Sequence, residues 1–110
     1  MPTDEILSIS AASADETIGT ELPVTAFDRV GWSVVTSAGV SAGVVTIEWA
    51  RASGYTGTWA ELDAITAGAA TTQYGSSTDH ISGFVRARIS TAITGGTVTV
   101  HLIRATTGNY

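Results

Sequence analysis

The chain has 110 residues, no cysteine, and a formal net charge of −5, from ten acidic residues against five arginines and no lysine. Charged residues make up only 14% of it and hydrophobic residues 44%, which predicts one domain with a single core and an unusually neutral exterior. The composition excludes disulfides and thiolate metal sites, and it argues against nucleic-acid binding because an acidic chain repels phosphate.

Membrane and secretion signals are not expected either. No apolar run approaches the roughly 18 residues of a membrane-spanning helix, and no basic segment precedes an apolar stretch near Met1, so no secretory signal is visible. We expect a protein that is made in the cytoplasm and does not bind membranes.

Apolar and polar residues alternate with a period of two in several segments, a pattern that predicts β-strands. The first predicted strand covers residues 5–10, with Leu7 and Ile9 on one face. Residues 11–20 are small and polar and predict a loop or a weak strand. A further short strand is predicted over residues 24–27.

Two longer strands are predicted over residues 29–37 and 44–51. Positions expected to point into a core are Val30, Trp32, Val34, Val45, Ile47 and Trp49. Positions expected on the opposite face of the second strand are Thr46, Glu48 and Ala50. Between the two strands, residues 38–43 form a predicted turn of small residues.

Residues 58–65 predict another strand, and the polar stretch that follows has Tyr74 and Ile81 as expected anchors. Three residues of this strand alternate on one face: Trp59, Glu61 and Asp63. Two carboxylates on one face could serve glycoside hydrolysis or bind a hard cation. An exposed strand face, or a salt bridge to Arg86 or Arg88, is the simpler interpretation.

The last third predicts a β-hairpin, with strands over residues 83–90 and 97–103 joined by a Gly95-Gly96 turn. Its expected inner residues are Val85, Ala87, Ile89, Val98, Val100 and Leu102. Its expected outer residues are Arg86, Arg88, Thr99 and His101. The whole pattern predicts an all-β fold: a single domain over residues 1–110, built as a small antiparallel β-sandwich or jelly-roll-like barrel of six to eight strands.

Residues 39–43 match the Gly-x-Ser-x-Gly pattern around a nucleophilic serine, here Ser41. That motif requires a strand, a sharp turn and a helix, whereas here a strand is predicted to follow, so a plain turn is the better interpretation. The histidines, His80 and His101, have no evident catalytic partners. Asp79 suits a turn-capping role, and His101 suits an exposed or interface position.

Three tryptophans are many for a chain of this size. Trp32 and Trp49 lie on the apolar sides of their strands and are predicted to be core residues. Trp59 shares its face with acidic residues and lies near Tyr55 in sequence. If the domain binds a glycan, Trp59 and Tyr55 are the expected contacts.

Four segments carry a resemblance to a known group of proteins. They read Val-Val-Thr-Ile-Glu-Trp over 44–49, Tyr-Thr-Gly-Thr-Trp-Ala-Glu-Leu over 55–62, Gly-Phe-Val-Arg-Ala-Arg-Ile over 83–89 and Gly-Gly-Thr-Val-Thr-Val over 95–100. Together, within residues 43–104, they resemble small β-sandwich virion proteins of tailed bacteriophages.

The resemblance implies a non-enzymatic capsid decoration, or cement, protein on the outer surface of a phage head. Such proteins are commonly trimers that bridge major capsid protein subunits, so the implied partners are the major capsid protein and two further copies of this chain. No cofactor or metal is implied. The expected interface residues are Arg86, Arg88, His101, Leu7 and Ile9, and residues 1–20 could form an extended arm whose first ten residues add a strand to a neighbour.

Two other classes remain open from the sequence. A carbohydrate- or receptor-binding β-sandwich of a phage tail or head fibre would use Trp59 and Tyr55. A small hydrolase would rest on Ser41 with Glu61 and Asp63.

Overall fold

The computed structural model describes residues 3–25, 28–68, 72–77 and 82–106, and their regular structure consists of eight β-strands. The strands are β1 (Thr3–Ala12), β2 (Leu22–Val24), β3 (Asp28–Thr36), β4 (Ala42–Ala50), β5 (Ala60–Thr66), β6 (Thr72–Ser77), β7 (Gly83–Thr94) and β8 (Val98–Thr106). In these ranges no helix has the length and apolarity to cross a membrane.

The strands form two antiparallel four-stranded sheets, with the orders β1-β8-β3-β6 and β2-β7-β4-β5. The first strand pairs with the eighth, the second with the seventh, the third with the sixth and the fourth with the fifth. This nesting is the jelly-roll topology. The predicted all-β sandwich is therefore confirmed.

The core lies between the two sheets, where inward positions of β1, β2, β3, β4, β5, β7 and β8 meet. Its completely buried side chains are Val34, Val45, Ile47, Val85, Ala87, Ile89, Val98, Val100 and Leu102, each 0% exposed. The period-two pattern predicted these positions correctly because each of their strands has an apolar face that packs against the other sheet. Trp32 is also buried, at 3% exposed, but Trp49 is only half-buried.

The predicted closing hairpin is wrong, because β7 and β8 lie in different sheets. The chain crosses from one sheet to the other at Gly95, which has φ 90°. A side chain there would overlap the carbonyl of Gly39 in the β3–β4 loop, so the two loops pack directly against each other. Ser37 N–H donates to the Thr97 carbonyl (3.0 Å) and fixes this contact.

The first strand also departs from the simple pattern, because its register shifts between Leu7 and Ile9. The bulge turns consecutive residues Ser8 and Ile9 inward, at 6% and 2% exposed, and leaves Leu7 outward at 46%. The prediction that Leu7 and Ile9 share a face is therefore wrong. Rather than extending from the domain, residues 3–12 form the edge strand beside β8.

Residues 13–20, which we call the crossing segment, continue from β1 across to the other sheet and run along β7. Gly19 N–H donates to the Ala87 carbonyl (2.8 Å), and Ile89 N–H donates to the Thr17 carbonyl (3.0 Å). The Ser8 hydroxyl joins the two layers, because it donates to the Thr20 carbonyl (2.9 Å) and accepts from Ala87 N–H (3.2 Å). This segment covers much of the edge of β7 that β2 leaves unpaired.

Tyr74 was expected to anchor a polar stretch, but it is 79% exposed. It lies on edge strand β6 opposite Ser33, on the outer face. The inward position beside it is Gly75, where a side chain would overlap the ring of Trp32. The aromatic side chain that fills this part of the core therefore comes from β3, and the predictions for Asp79, His80 and Ile81 lie outside the described residues.

Candidate functional site

The two predicted interface arginines converge on one carboxylate on the outer face of the β2-β7-β4-β5 sheet. Arg86 Nε lies 2.7 Å from Glu48 Oε2, and Arg88 Nε lies 3.0 Å from Glu48 Oε1. Glu48 is opposite Arg86 in the β4–β7 register and is only 3% exposed. Because each carboxylate oxygen accepts from a different guanidinium, the buried charge is fully paired.

Arg88 makes a second ion pair, with Glu16 of the crossing segment, at 2.8 Å between Nη1 and Oε2. Partial burial lowers the pKa of Arg88, but hydrogen bonds and charge attraction from Glu48 and Glu16 outweigh it and raise that pKa. Arg88 therefore stays charged and holds the crossing segment against the sheet. The Glu16 side chain is 64% exposed, so this outer pair is weaker than the inner one.

Trp59 packs against Arg86, whose guanidinium carbon lies 3.9 Å from the ring centroid, a cation–π contact. Its indole N–H donates to the Tyr55 carbonyl (2.8 Å), and the residue is 7% exposed. Trp59 and Tyr55 were predicted as the contacts if the domain binds a glycan. Arg86 covers the Trp59 ring, so of the two only Tyr55, at 47% exposed, presents its side chain to solvent. Together with the charged residues, Trp59 lines a polar pocket of about 300 Å³.

Glu61 and Asp63 do not form a carboxylate pair. The β4–β5 register shifts between them, so Glu61 is opposite Glu48 while Asp63 is opposite Ile47. One carboxylate therefore lies on the outer face and the other on the inner face at the sheet edge. Neither contributes to the ion pairs of Arg86 and Arg88, which use Glu48 and Glu16.

The outer surface of the other sheet carries large apolar and aromatic side chains among small polar ones such as Ser33 and Thr99. We call the group formed by Leu7, Val35, Tyr74, His101 and Ile103 on this surface the apolar face. Leu7 is opposite His101 on the neighbouring strand. In the same row across the sheet, Ser33 lies between His101 and Tyr74. Leu7, Val35 and Tyr74 are 46%, 40% and 79% exposed. Two predicted interface residues, Leu7 and His101, are thus adjacent here, whereas Ile9 is in the core.

A groove of about 320 Å³ lies at the end of the β2-β7-β4-β5 sheet. We call it the aromatic groove, and its lining residues are Trp49, Ala50, Arg51, Ala52, Tyr55, Thr58 and Ala60. The sequence pointed to Tyr55 but assigned Trp49 to the core. Trp49 lies one residue from the end of β4, where it is half-buried and packs against the core.

The Gly-x-Ser-x-Gly motif lies in the loop from β3 to β4, which connects the two sheets. Ser41 N–H donates to the Thr94 carbonyl (2.9 Å), and a strand follows directly. This context is a turn between strands and lacks the helix of a nucleophile elbow. Among the residues that the structure describes, no three His, Asp or Glu side chains cluster to hold a metal ion.

The sequence did not point to Glu48, which is at the centre of the charged cluster that it forms with Arg86, Arg88 and Glu16. The available signal was an acidic residue within an apolar strand, flanked by Ile47 and Trp49. Such a residue is rarely buried without a partner, and two arginines on one strand face were the obvious candidates.

No protein-family model matches the chain, and no curated protein matches it. A solved structure of Bacillus endospore appendages, described as a novel family of disulfide-linked pili, is similar over 97% of this chain and 88% of that chain. Its TM-score is 0.56 and the sequence identity is 18%. At this sequence identity, the similarity concerns the fold alone.

Proposed function

We propose that this protein is a non-enzymatic structural subunit that decorates an assembled bacteriophage head and stabilises it by bridging major capsid protein subunits. The observation that carries the proposal is the apolar face. Exposed Leu7, Val35 and Tyr74 on one sheet surface give it the character of a protein-contact surface. A partner that binds only the assembled lattice stabilises that lattice by mass action.

Three further observations support this assignment. The sequence resembles virion proteins of tailed phages, and jelly rolls are a frequent architecture of viral capsid domains. The similar fold in endospore appendages belongs to a protein of pili, which are also an assembled structure. Those pili are disulfide-linked, whereas this chain has no cysteine, so its own contacts would be non-covalent and depend on surface burial.

The direct test is co-sedimentation with phage heads. The chain is mixed with heads assembled from the major capsid protein of its own genome, and with the same capsid protein unassembled. We expect the chain to pellet with the heads and to ignore the unassembled protein. Failure to pellet with assembled heads would contradict the proposal.

A substitution on the apolar face should weaken this binding selectively. Leu7→Asp places a charge on the face and is expected to weaken binding by about tenfold or more, because a charge buried in a contact without a partner is costly. Ile18→Asp is the matched control: Ile18 is 47% exposed, against 46% for Leu7, but it lies over the other sheet. Equal effects of both variants would exclude the apolar face as the contact.

The predicted trimer is tested separately by light scattering. A trimer of the 11.3 kDa chain has a mass of about 34 kDa, and cyclic symmetry would place the same surface of each copy at the axis. Trimer formation would be contradicted if the protein has the mass of one chain at every concentration in solution and also binds to the head as single chains.

A further inference from the structure

We infer that the aromatic groove binds a saccharide that carries a carboxylate, through an aromatic wall formed by Trp49 and Tyr55 and a cation, Arg51, at its rim. The proposal is independent of the apolar face, because the groove lies at the end of the other sheet. It concerns a different site from the covered Trp59.

The groove has the size and lining of a small-ligand site. Its volume of about 320 Å³ falls at the lower end of the range for ligand pockets, which are mostly apolar with a few placed polar groups. Trp49 and Tyr55 supply large flat surfaces that suit the apolar faces of a sugar ring. Thr58 and Arg51 supply the polar contacts.

The loop that carries Tyr55 is held in place before any ligand binds. Both carboxylate oxygens of Glu21 accept hydrogen bonds from this loop, one from the Ser53 hydroxyl and one from Gly54 N–H, each at 2.9 Å. A side chain at Gly57 would overlap the Tyr55 ring, so the ring packs over that glycine. A prearranged wall lowers the entropic cost of binding.

Trp49, the other aromatic residue of the wall, is also held in place. The Trp49 indole N–H donates to the Ser82 carbonyl at 3.3 Å. Gly83 follows, with φ 145°, and a side chain there would approach both the indole nitrogen and the Ala50 carbonyl. The indole therefore has little freedom to move out of the groove.

Arg51 determines which saccharide fits. It is exposed, and within the described ranges no ion pair or hydrogen bond occupies its guanidinium. By contrast, Arg86 and Arg88 are held by Glu48. A free guanidinium beside an aromatic wall is suited to bidentate contact with a carboxylate, which favours an acidic sugar over a neutral one.

A single compact groove also favours a sugar over an extended peptide. A polyproline II ligand advances about 3.1 Å per residue and needs aromatic residues spread along a longer track. Here the aromatic rings of Trp49 and Tyr55 line one groove with Arg51 at its rim.

Tryptophan fluorescence titration tests the inference, because Trp49 lines the groove while Trp32 and Trp59 are 3% and 7% exposed. The probes are D-glucuronate, D-glucose and acetate. We expect glucuronate to bind with a Kd of roughly 1 mM, a weak affinity appropriate to a ligand of its size. Glucose should bind several-fold more weakly, and acetate should leave the fluorescence unchanged.

Two substitutions separate the contributions of the wall and the cation. Tyr55→Ala should weaken glucuronate binding by about tenfold, in line with the loss of one stacking ring. Arg51→Gln should remove the preference for glucuronate over glucose while leaving the urea unfolding midpoint unchanged, since Arg51 is exposed and unpaired among the described residues. Tyr74→Ala, which removes an exposed tyrosine from the other sheet, should have no effect.

Three results would overturn the inference: no response to glucuronate at concentrations well above the expected Kd, equal binding in the Arg51→Gln protein, or binding of an acidic proline-rich peptide in place of the sugars. If the unaltered protein binds phage heads but no sugar, this inference alone is wrong. If it binds glucuronate but not phage heads, the proposed structural role is wrong and this inference stands.

Discussion

Glu48→Ala is expected to lower the free energy of unfolding by about 3–5 kcal/mol, the range for removing one member of a buried ion pair. Glu48 is 3% exposed and neutralises two arginines whose side chains are 14% and 25% exposed. Without it, Arg86 and Arg88 are left close together with Glu16 as their remaining ion-pair partner in the cluster. Urea unfolding at neutral pH measures the change.

Glu61→Ala is the matched control, because Glu61 is directly opposite Glu48 on β5 but exposed. Its removal relieves repulsion between like charges across the strands, so we expect a change within about 0.5 kcal/mol. Replacing Glu48, Arg86 and Arg88 together with apolar residues should recover most of the lost stability, since a well-packed apolar substitute avoids the desolvation cost. A loss below about 1 kcal/mol for Glu48→Ala would show that the cluster is poorly coupled to folding.

Gly19→Ala is expected to lower the free energy of unfolding by about 3 kcal/mol, from overpacking together with the loss of buried hydrogen bonds. The added methyl would overlap the Ser8 hydroxyl and lie 2.7 Å from the Ser8 carbonyl oxygen and 2.9 Å from that of Ala87. Two of these three atoms are backbone, so the crossing segment itself must shift. Denaturant unfolding gives the loss of stability directly.

Gly68→Ala provides the comparison, because a methyl there meets no atom within 4 Å. We expect it to change stability by less than about 0.5 kcal/mol. Similar losses for both variants would mean that chain stiffness, and not the contact between Ser8 and Gly19, is responsible. Hydrogen exchange should show faster opening of the Ala87 and Ile89 amides in Gly19→Ala alone, because they are bonded to Ser8 and Thr17.

The sequence predicted whether a residue points into the core far better than it predicted which strands pair with each other. Alternation correctly assigned Val85 and Ile89 in β7 and Val98 and Leu102 in β8 to the core. It could not show that these strands lie in different sheets, because an inward residue has the same pattern whichever sheet it faces from. A turn such as Gly95-Gly96 permits both a hairpin and a crossing between layers.

Bulges account for the other differences. An extra residue in a strand reverses the face of every residue that follows it in that strand. The residues at the two bulges, Ser8 in β1 and Leu62 in β5, are not of a type that marks a bulge in a sequence. The pairing of Leu7 with His101 and the separation of Glu61 from Asp63 depend on these two irregularities. The candidate sites were therefore only partly predictable: the arginines and Tyr55 were identified, whereas Glu48 and the exposure of Trp49 depend on strand pairing.

The position of β8 between β1 and β3 has a consequence for how the protein is made. Sheet β1-β8-β3-β6 has a vacancy at its centre until residues Val98–Thr106 leave the ribosome. Until then both neighbouring strands present unpaired edges, which are prone to wrong association. Native folding must follow synthesis of the last strand, and because nearly all pairings join distant parts of the chain, folding should be slow for a domain of this size.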